Sequence, residues 1–252
     1  MKTLVVANQK GGVGKSAIAT HLAFLGAEQG LRVLAVDVDS QGTMSRNLCG
    51  EMDLPAAHAA QLFKGLTPAP IKCIHNERIE VISGDRALSD IDEMPKLAAT
   101  ALRDSLKRYS AHGLCVIDPP PTLGKRLKAA LAAADFVVMP FSPTRESVDG
   151  LGELMDTIDS VKKTLNPNLT IVGLLPNLVN ARSTAQVKAL EEIQEHAPDL
   201  LLPCQVAART SVADMLAQSR PVWWRPRGQS QRLAGEEMRA ACGYVLKTVL
   251  KK

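Results

Sequence analysis

Short runs of apolar, largely β-branched residues alternate along the chain with longer stretches whose apolar positions recur every three or four residues. The runs at residues 3–7, 32–37, 79–82, 114–118, 136–141 and 170–175 predict strands, with a weaker one at 200–204. The helical stretches are 16–29, 88–109, 123–134, 147–165, 184–196, 210–218 and 230–251. The runs LVVA, VLAV and FVVM are apolar on both faces, as strands of a parallel sheet covered by helices on each side must be. Strand–helix alternation from end to end predicts an α/β fold: a single doubly wound, mainly parallel sheet flanked by helices, as one domain over residues 1–252. Only residues 40–70 and 219–228 read as irregular, the latter carrying Pro221, Pro226 and Gly228.

Composition narrows the classes. A chain of 252 residues with 46% hydrophobic and 22% charged residues builds a core without staples. Its five cysteines are odd in number, widely spread and without a CxxC pair, which argues for a reducing compartment and against a disulfide frame or zinc site. No apolar stretch approaches the roughly 20 residues of a membrane span, and the start lacks a secretory cleavage pattern, so a cytoplasmic location is expected. The net charge of +4 is unevenly placed: residues 201–252 hold nine Lys/Arg against three Asp/Glu, leaving −2 for the rest. Such a basic end serves either an anionic partner or a solvated helix face.

The chemistry concentrates after the first strand, in Asn8-Gln9-Lys10-Gly11-Gly12-Val13-Gly14-Lys15-Ser16. Glycines between a strand and a helix let successive backbone N–H groups turn inward as an anion nest, and the helix N-terminus adds about half a positive charge. Lys15 then reaches the β- and γ-phosphates of a nucleotide, and the Ser16 hydroxyl ligates Mg²⁺. The general phosphate-loop spacing asks for glycine at position 9, where this chain has Gln9. It has instead a second lysine, Lys10, which one nucleotide does not need and which is able to cross an interface to the nucleotide of a second subunit.

Two acidic strand ends follow. The second strand closes Val36-Asp37-Val38-Asp39-Ser40-Gln41-Gly42, with Asp37 and Asp39 on one face at the carboxyl edge, where open parallel sheets bind ligands. Carboxylates there either hold metal-bound water and position an attacking water, or cap loop amides. The run Leu114–Asp118 ends in Asp118 before Pro119-Pro120-Pro121-Thr122-Leu123-Gly124. This is the Walker B arrangement, in which the carboxylate reaches Mg²⁺ through water and Gly124 approaches a γ-phosphate.

With these motifs in order, the chain resembles the ParA (Soj-like) ATPases of the deviant Walker A group over nearly its whole length. KGGVGK[ST] is that group's motif, Asp37–Gly42 is similar to its D-x-D-P-Q-G, and Asp118–Gly124 to its D-x-P-P-S-L-G. Ser16 stands for the more usual threonine and Ser40 for a proline. The resemblance implies ATP and Mg²⁺ as ligands, with Lys10, Gly11, Gly12, Val13, Gly14, Lys15, Ser16 and Ala17 around the phosphates. It implies that Lys10 contacts the partner's ATP in a sandwich homodimer and that Asp39 positions the hydrolytic water. It assigns the metal shell to Ser16, Asp37, Asp39 and Asp118. It places Asn177 at the adenine base, although an ordinary strand-to-loop turn also accounts for that residue.

Before the last helix, the resemblance implies sequence-nonspecific DNA binding by arginines, with Arg209, Arg220, Arg225 and Arg227 as candidates beside Trp223 and Trp224. A solvated rim with the tryptophans packed on the core is the alternative. The implied function is partition of a plasmid or chromosome with a ParB-type partner, on the nucleoid when ATP is bound, without an N-terminal helix-turn-helix domain. The alternatives are a MinD-like membrane-patterning ATPase, which would use the stripe Met238, Cys242, Val245 and Val249 as an anchor, and a ParA-like positioner of a protein cargo.

Overall fold

A computed structural model describes residues 1–50, 58–94 and 99–251. Eight strands make one sheet: β1 (Lys2–Val6), β2 (Val33–Asp37), β3 (Ile71–Cys73), β4 (Asn76–Ile82), β5 (Leu114–Asp118), β6 (Phe136–Phe141), β7 (Thr170–Val179) and β8 (Val206–Ala207). Their order is β3-β4-β2-β5-β1-β6-β7-β8, and every pair is parallel except β3 with β4. The helices are α1 (Lys15–Glu28), α2 (Thr43–Cys49), α3 (Ser89–Glu93), α4 (Ala101–Leu106), α5 (Lys125–Ala133), α6 (Arg145–Thr164), α7 (Thr184–His196), α8 (Thr210–Leu216) and α9 (Gln229–Lys251). The expected doubly wound α/β architecture is what forms. Strand β1 lies between β5 and β6, so the chain winds outward in both directions from it, and the carboxyl edge beside β1 is the switch point where such sheets bind ligands.

One face of the sheet is covered by α1 and α9: Ile18 and Leu22 pack with Met238, Cys242, Val245 and Val249, all fully or almost fully buried. The other face carries Leu102 of α4, Leu127 and Leu131 of α5, and Leu154 and Ile158 of α6. Each such side chain contributes about 1.5–3 kcal/mol by leaving water. The apolar stripe of α9 is therefore used by the core.

Four segments depart from the sequence expectation. The predicted helix over 88–109 is two short helices, α3 and α4, flanked by 3₁₀ turns at Arg86–Leu88 and Lys107–Tyr109; its residues 95–98 lie outside the described residues. Pro95 is the cause in the sequence, since proline disfavours helix at the residue before it, and Met94 is extended there (φ −57°, ψ 124°). The weak strand over 200–204 reduces to a bridge from Leu201 to Leu174 because Pro203 has no N–H to donate, and β8 forms instead two residues further on. The irregular stretch 40–70 contains α2 and a 3₁₀ turn at Ala59–Lys64, and β3 just beyond it forms an antiparallel edge with β4. Strand β7 runs on to Val179, so Asn177 lies within it.

Candidate functional site

The loop from β1 to α1 is held before any ligand is considered. Asn8 donates through Nδ2 to Pro140 O (2.7 Å), and its Oδ1 accepts from Lys10 N (2.7 Å). Gly12 and Gly14 have φ of 77° and 83°, values that a side chain strains to adopt. A Cβ on Gly14 would also overlap the Asn177 amide, which donates to Val13 O at 2.8 Å. Lys15 is nearly buried, and its ammonium donates to Lys10 O at 3.2 Å. Burial lowers the Lys15 pKa, opposed by the charges of Asp118 and Asp39. Among the described residues, no ion pair engages the Lys10 ammonium.

Gly11, Gly12, Gly14, Lys15, Ser16 and Ala17 line a cavity of about 480 Å³. Its other walls are Asp39 and Gln41, Thr43 and Asn47 at α2, Pro121, and Ala213, Leu216 and Ala217 at the end of α8. Polar and apolar groups thus line one cavity, the mixture that suits a nucleotide. Two further cavities, about 500 and 680 Å³, lie against α7 and lack a phosphate loop.

The three aspartates have separate environments. Asp37 and Asp118 are register partners at the ends of β2 and β5, and both are fully buried. Asp37 Oδ1 accepts from Asp39 N (3.1 Å), and Oδ2 accepts from Ser45 N (2.9 Å) and the Ser45 hydroxyl (2.8 Å). Burial raises its pKa to about 6 despite the Ser45 hydrogen bonds. Both Asp118 oxygens are buried without a hydrogen-bond donor. Burial and then the charge of Asp37 push the Asp118 pKa well up, opposed by Lys15 and by a Ser16 hydroxyl that lies close but outside hydrogen-bond geometry. Asp39 is half-buried at the cavity wall, with Oδ1 accepting from Gln41 N (3.1 Å). Among the described residues, no three or more His, Cys, Asp or Glu are grouped as a self-sufficient metal cage. An orphaned buried carboxylate beside a serine hydroxyl is a partial oxygen set of the kind that a phosphate-bound Mg²⁺ completes.

Two of the expected site residues have partners outside the cavity. Asp37, expected in the metal shell, spends both oxygens on loop donors and does not line the cavity. Asn177, expected at the base, is buried against the phosphate loop and does not line the cavity either. Sequence reasoning missed Ser45, the α8 wall, and Arg126. The signal for Arg126 was available: a cation in the first turn of α5 opposes the helix dipole unless an acid stands beside it.

The matching family model, described as an AAA domain, covers residues 1–171. Protein IncC of Escherichia coli is 36% identical over 250 residues, spanning 97% of this chain and 69% of IncC. The chromosome partitioning protein ParA of Caulobacter vibrioides is 30% identical over 230 residues, spanning 88% of this chain and 86% of ParA. The chain belongs to the ParA family of P-loop partition ATPases.

Solved ParA-like folds place the likeness in three dimensions. Apo McdA of Cyanothece superposes with a TM-score of 0.83 at 25% identity, covering 98% of this chain and 99% of McdA. Cobyrinic acid a,c-diamide synthase of Mycobacterium smegmatis with bound ADP and magnesium gives 0.79 at 26% identity over 98% and 94% of the two chains. Nucleotide and Mg²⁺ binding thus occur on this fold.

The arginines of the basic end divide in this ParA-family chain. Arg209 is paired with Glu237 at 2.7 Å, and the other Glu237 oxygen accepts from Ala207 N (3.0 Å). Arg209 is therefore a clamp between the start of α8 and α9. Arg220 and Arg225 stack on Trp224, with guanidinium carbons 4.3 and 4.8 Å from ring centroids, and Arg227 is exposed. Trp223 donates to Glu28 Oε1 (2.7 Å), while Arg239 bonds Glu28 Oε2 (2.7 Å) and stacks on the Trp223 ring (4.5 Å). Trp223 thus fastens the segment to α1, and Trp224 arrays the arginines. Among the described residues, no helix is long and apolar enough to cross a membrane.

Proposed function

We propose that this protein is a Mg²⁺-dependent ATP hydrolase that dimerises on ATP, binds DNA without sequence preference, and segregates a plasmid or chromosome in the cytoplasm with a ParB-type partner. The observation that carries the reading is the convergence of the Gly11–Ala17 loop, Asp39 and the α8 wall on one cavity of about 480 Å³.

The loop amides and Lys15 hold the phosphates, and the apolar side chains of α8 cover the base. Ser16 and Asp118 would hold a Mg²⁺ ion, which would supply charge neutralisation at the phosphates. Asp39 accepts a hydrogen bond from the attacking water and sets its line of approach, while Asp37 keeps the Asp39 loop in place through Asp39 N and Ser45. Lys10, whose ammonium has no ion pair among the described residues, crosses to the partner's nucleotide and links occupancy to dimerisation. Arg220, Arg225 and Arg227 then meet DNA phosphates, a contact that positions without reading bases. Burial of the α9 stripe favours this over the membrane-anchor alternative.

The test is sedimentation together with phosphate release. Asp39→Ala is expected to give an ATP-dependent dimer whose hydrolysis is lower by about a hundredfold. Lys15→Ala is expected to stay monomeric with ATP, and Lys10→Ala to bind ATP but dimerise weakly. Parent-like hydrolysis by Asp39→Ala would refute the assignment of the water.

A further inference from the structure

The loop that carries Asp39 is gripped from a direction outside the three motifs. Arg126, in the first turn of α5, is almost wholly buried, and its Nη1 donates to Val38 O at 3.2 Å. Val38 N donates to Asp118 O at 3.0 Å. The peptide groups flanking Val38, immediately before Asp39, are thus held on one side by β5 and on the other by Arg126. The guanidinium is itself fixed: Nε donates to Asp92 Oδ2 (2.8 Å), and the Arg126 backbone N–H donates to Asp92 Oδ1 (3.1 Å). Asp92, on α3, thereby supplies the side-chain cap that the start of α5 otherwise lacks. It packs so closely on Gly124 that a Cβ there would sit 2.8 Å from Asp92 Oδ1. A side chain at Gly124 would press on the Asp92 carboxylate and so on this clasp.

We propose that Arg126 is a positioning residue for hydrolysis: it ties the Asp39 loop to the Asp118–Gly124 loop, so that Asp39 is set by the loop that faces the γ-phosphate. A buried cation bridging a carboxylate and a main-chain carbonyl is an anchored fork, and only arginine reaches both acceptors with one rigid plane. The proposal rests on the reading that Asp39 orients the attacking water.

Two variants and a double variant test it. Arg126→Met removes both bonds and is expected to lower kcat for ATP hydrolysis by about a hundredfold with KM for ATP near the parent's. Arg126→Lys keeps a cation for Asp92, and so the fold, but loses the Val38 bond; at least about a tenfold loss of kcat is expected with an unchanged melting temperature. In an Asp39→Ala background, Arg126→Lys is expected to cost nothing further, because its effect runs through Asp39. Parent-like kcat in a folded Arg126→Lys protein, a loss confined to KM, or an additive loss in the double variant would each overturn the proposal. Parent-like hydrolysis by Asp39→Ala alone would instead remove the reading on which it stands.

Discussion

His21 sits one turn inside α1 beyond the phosphate loop, fully buried, with Nδ1 bonded to Ala17 O (2.7 Å) and Nε2 accepting from Val222 N (3.0 Å). Its ring lies 5.3 Å from that of Trp223, so a neutral imidazole joins α1 to the arginine segment. Burial lowers its pKa from the ordinary 6.5 to about 4. Below pH 6.5 the unfolded chain takes up a proton that the folded chain refuses, so this residue's contribution to stability falls between pH 6.5 and 4 and then levels off. The total is about 3 kcal/mol. Asp37, raised to about 6, works oppositely in the overlapping window, gaining as pH falls from 6 towards 3.8. Comparing parent with His21→Gln by urea unfolding isolates the histidine: the parent's advantage is expected to shrink by about 3 kcal/mol from pH 7 to pH 4. A constant gap would mean that His21 is not held neutral. Nothing local in the sequence marks His21, because its partner lies 201 residues away. The loop residues from Lys10 to Ser16 were legible because their chemistry depends on spacing within a few positions. Asn177 and Asp37 were legible as polar strand residues, whereas their partners Val13 O and Ser45 were not.

Elements were legible where hydrophobic period and length agreed. The two-face-apolar runs became β1, β2 and β6, and the stripe of α9 met the core. Short elements were lost in the irregular stretch because a seven-residue helix such as α2 carries too few turns to establish a period. The segment between α8 and α9 shows what element packing adds to composition. The resemblance ranked Arg209 with its neighbours, and the fold joins it to Glu237 while it stacks Arg220 and Arg225 on Trp224. Arg209→Ala is accordingly expected to cost about 1 kcal/mol of stability, as a partly exposed pair does, and to leave the salt dependence of DNA binding unchanged. Arg220→Ala, Arg225→Ala and Arg227→Ala are each expected to flatten the slope of log affinity against log salt by about 1. An unchanged slope in all three, or a flattened slope for Arg209→Ala, would move the DNA surface elsewhere.

Across the whole molecule, the phosphate-loop cavity and the arginine segment adjoin. The helix α8 that walls that cavity leads within four residues of its end to Arg220, and the segment's other attachments, Val222 and Trp223, are on α1, the phosphate-loop helix. The doubly wound class was legible from alternation along the chain, whereas strand order and these attachments arise only from contacts between distant residues. The positive charge counted in the last 52 residues is likewise not one surface: part clamps α8 and α9, and part braces α1. On the proposed function, ATP converts this protein into a DNA-retaining state and hydrolysis releases it. Retention of parent and Asp39→Ala on a mixed-sequence duplex, with ATP or ADP across a salt series, tests it most directly. Salt-sensitive retention with ATP is expected in both proteins, decaying as the parent consumes ATP and persisting in Asp39→Ala, with little retention in ADP; equal retention in ATP and ADP would refute the switch.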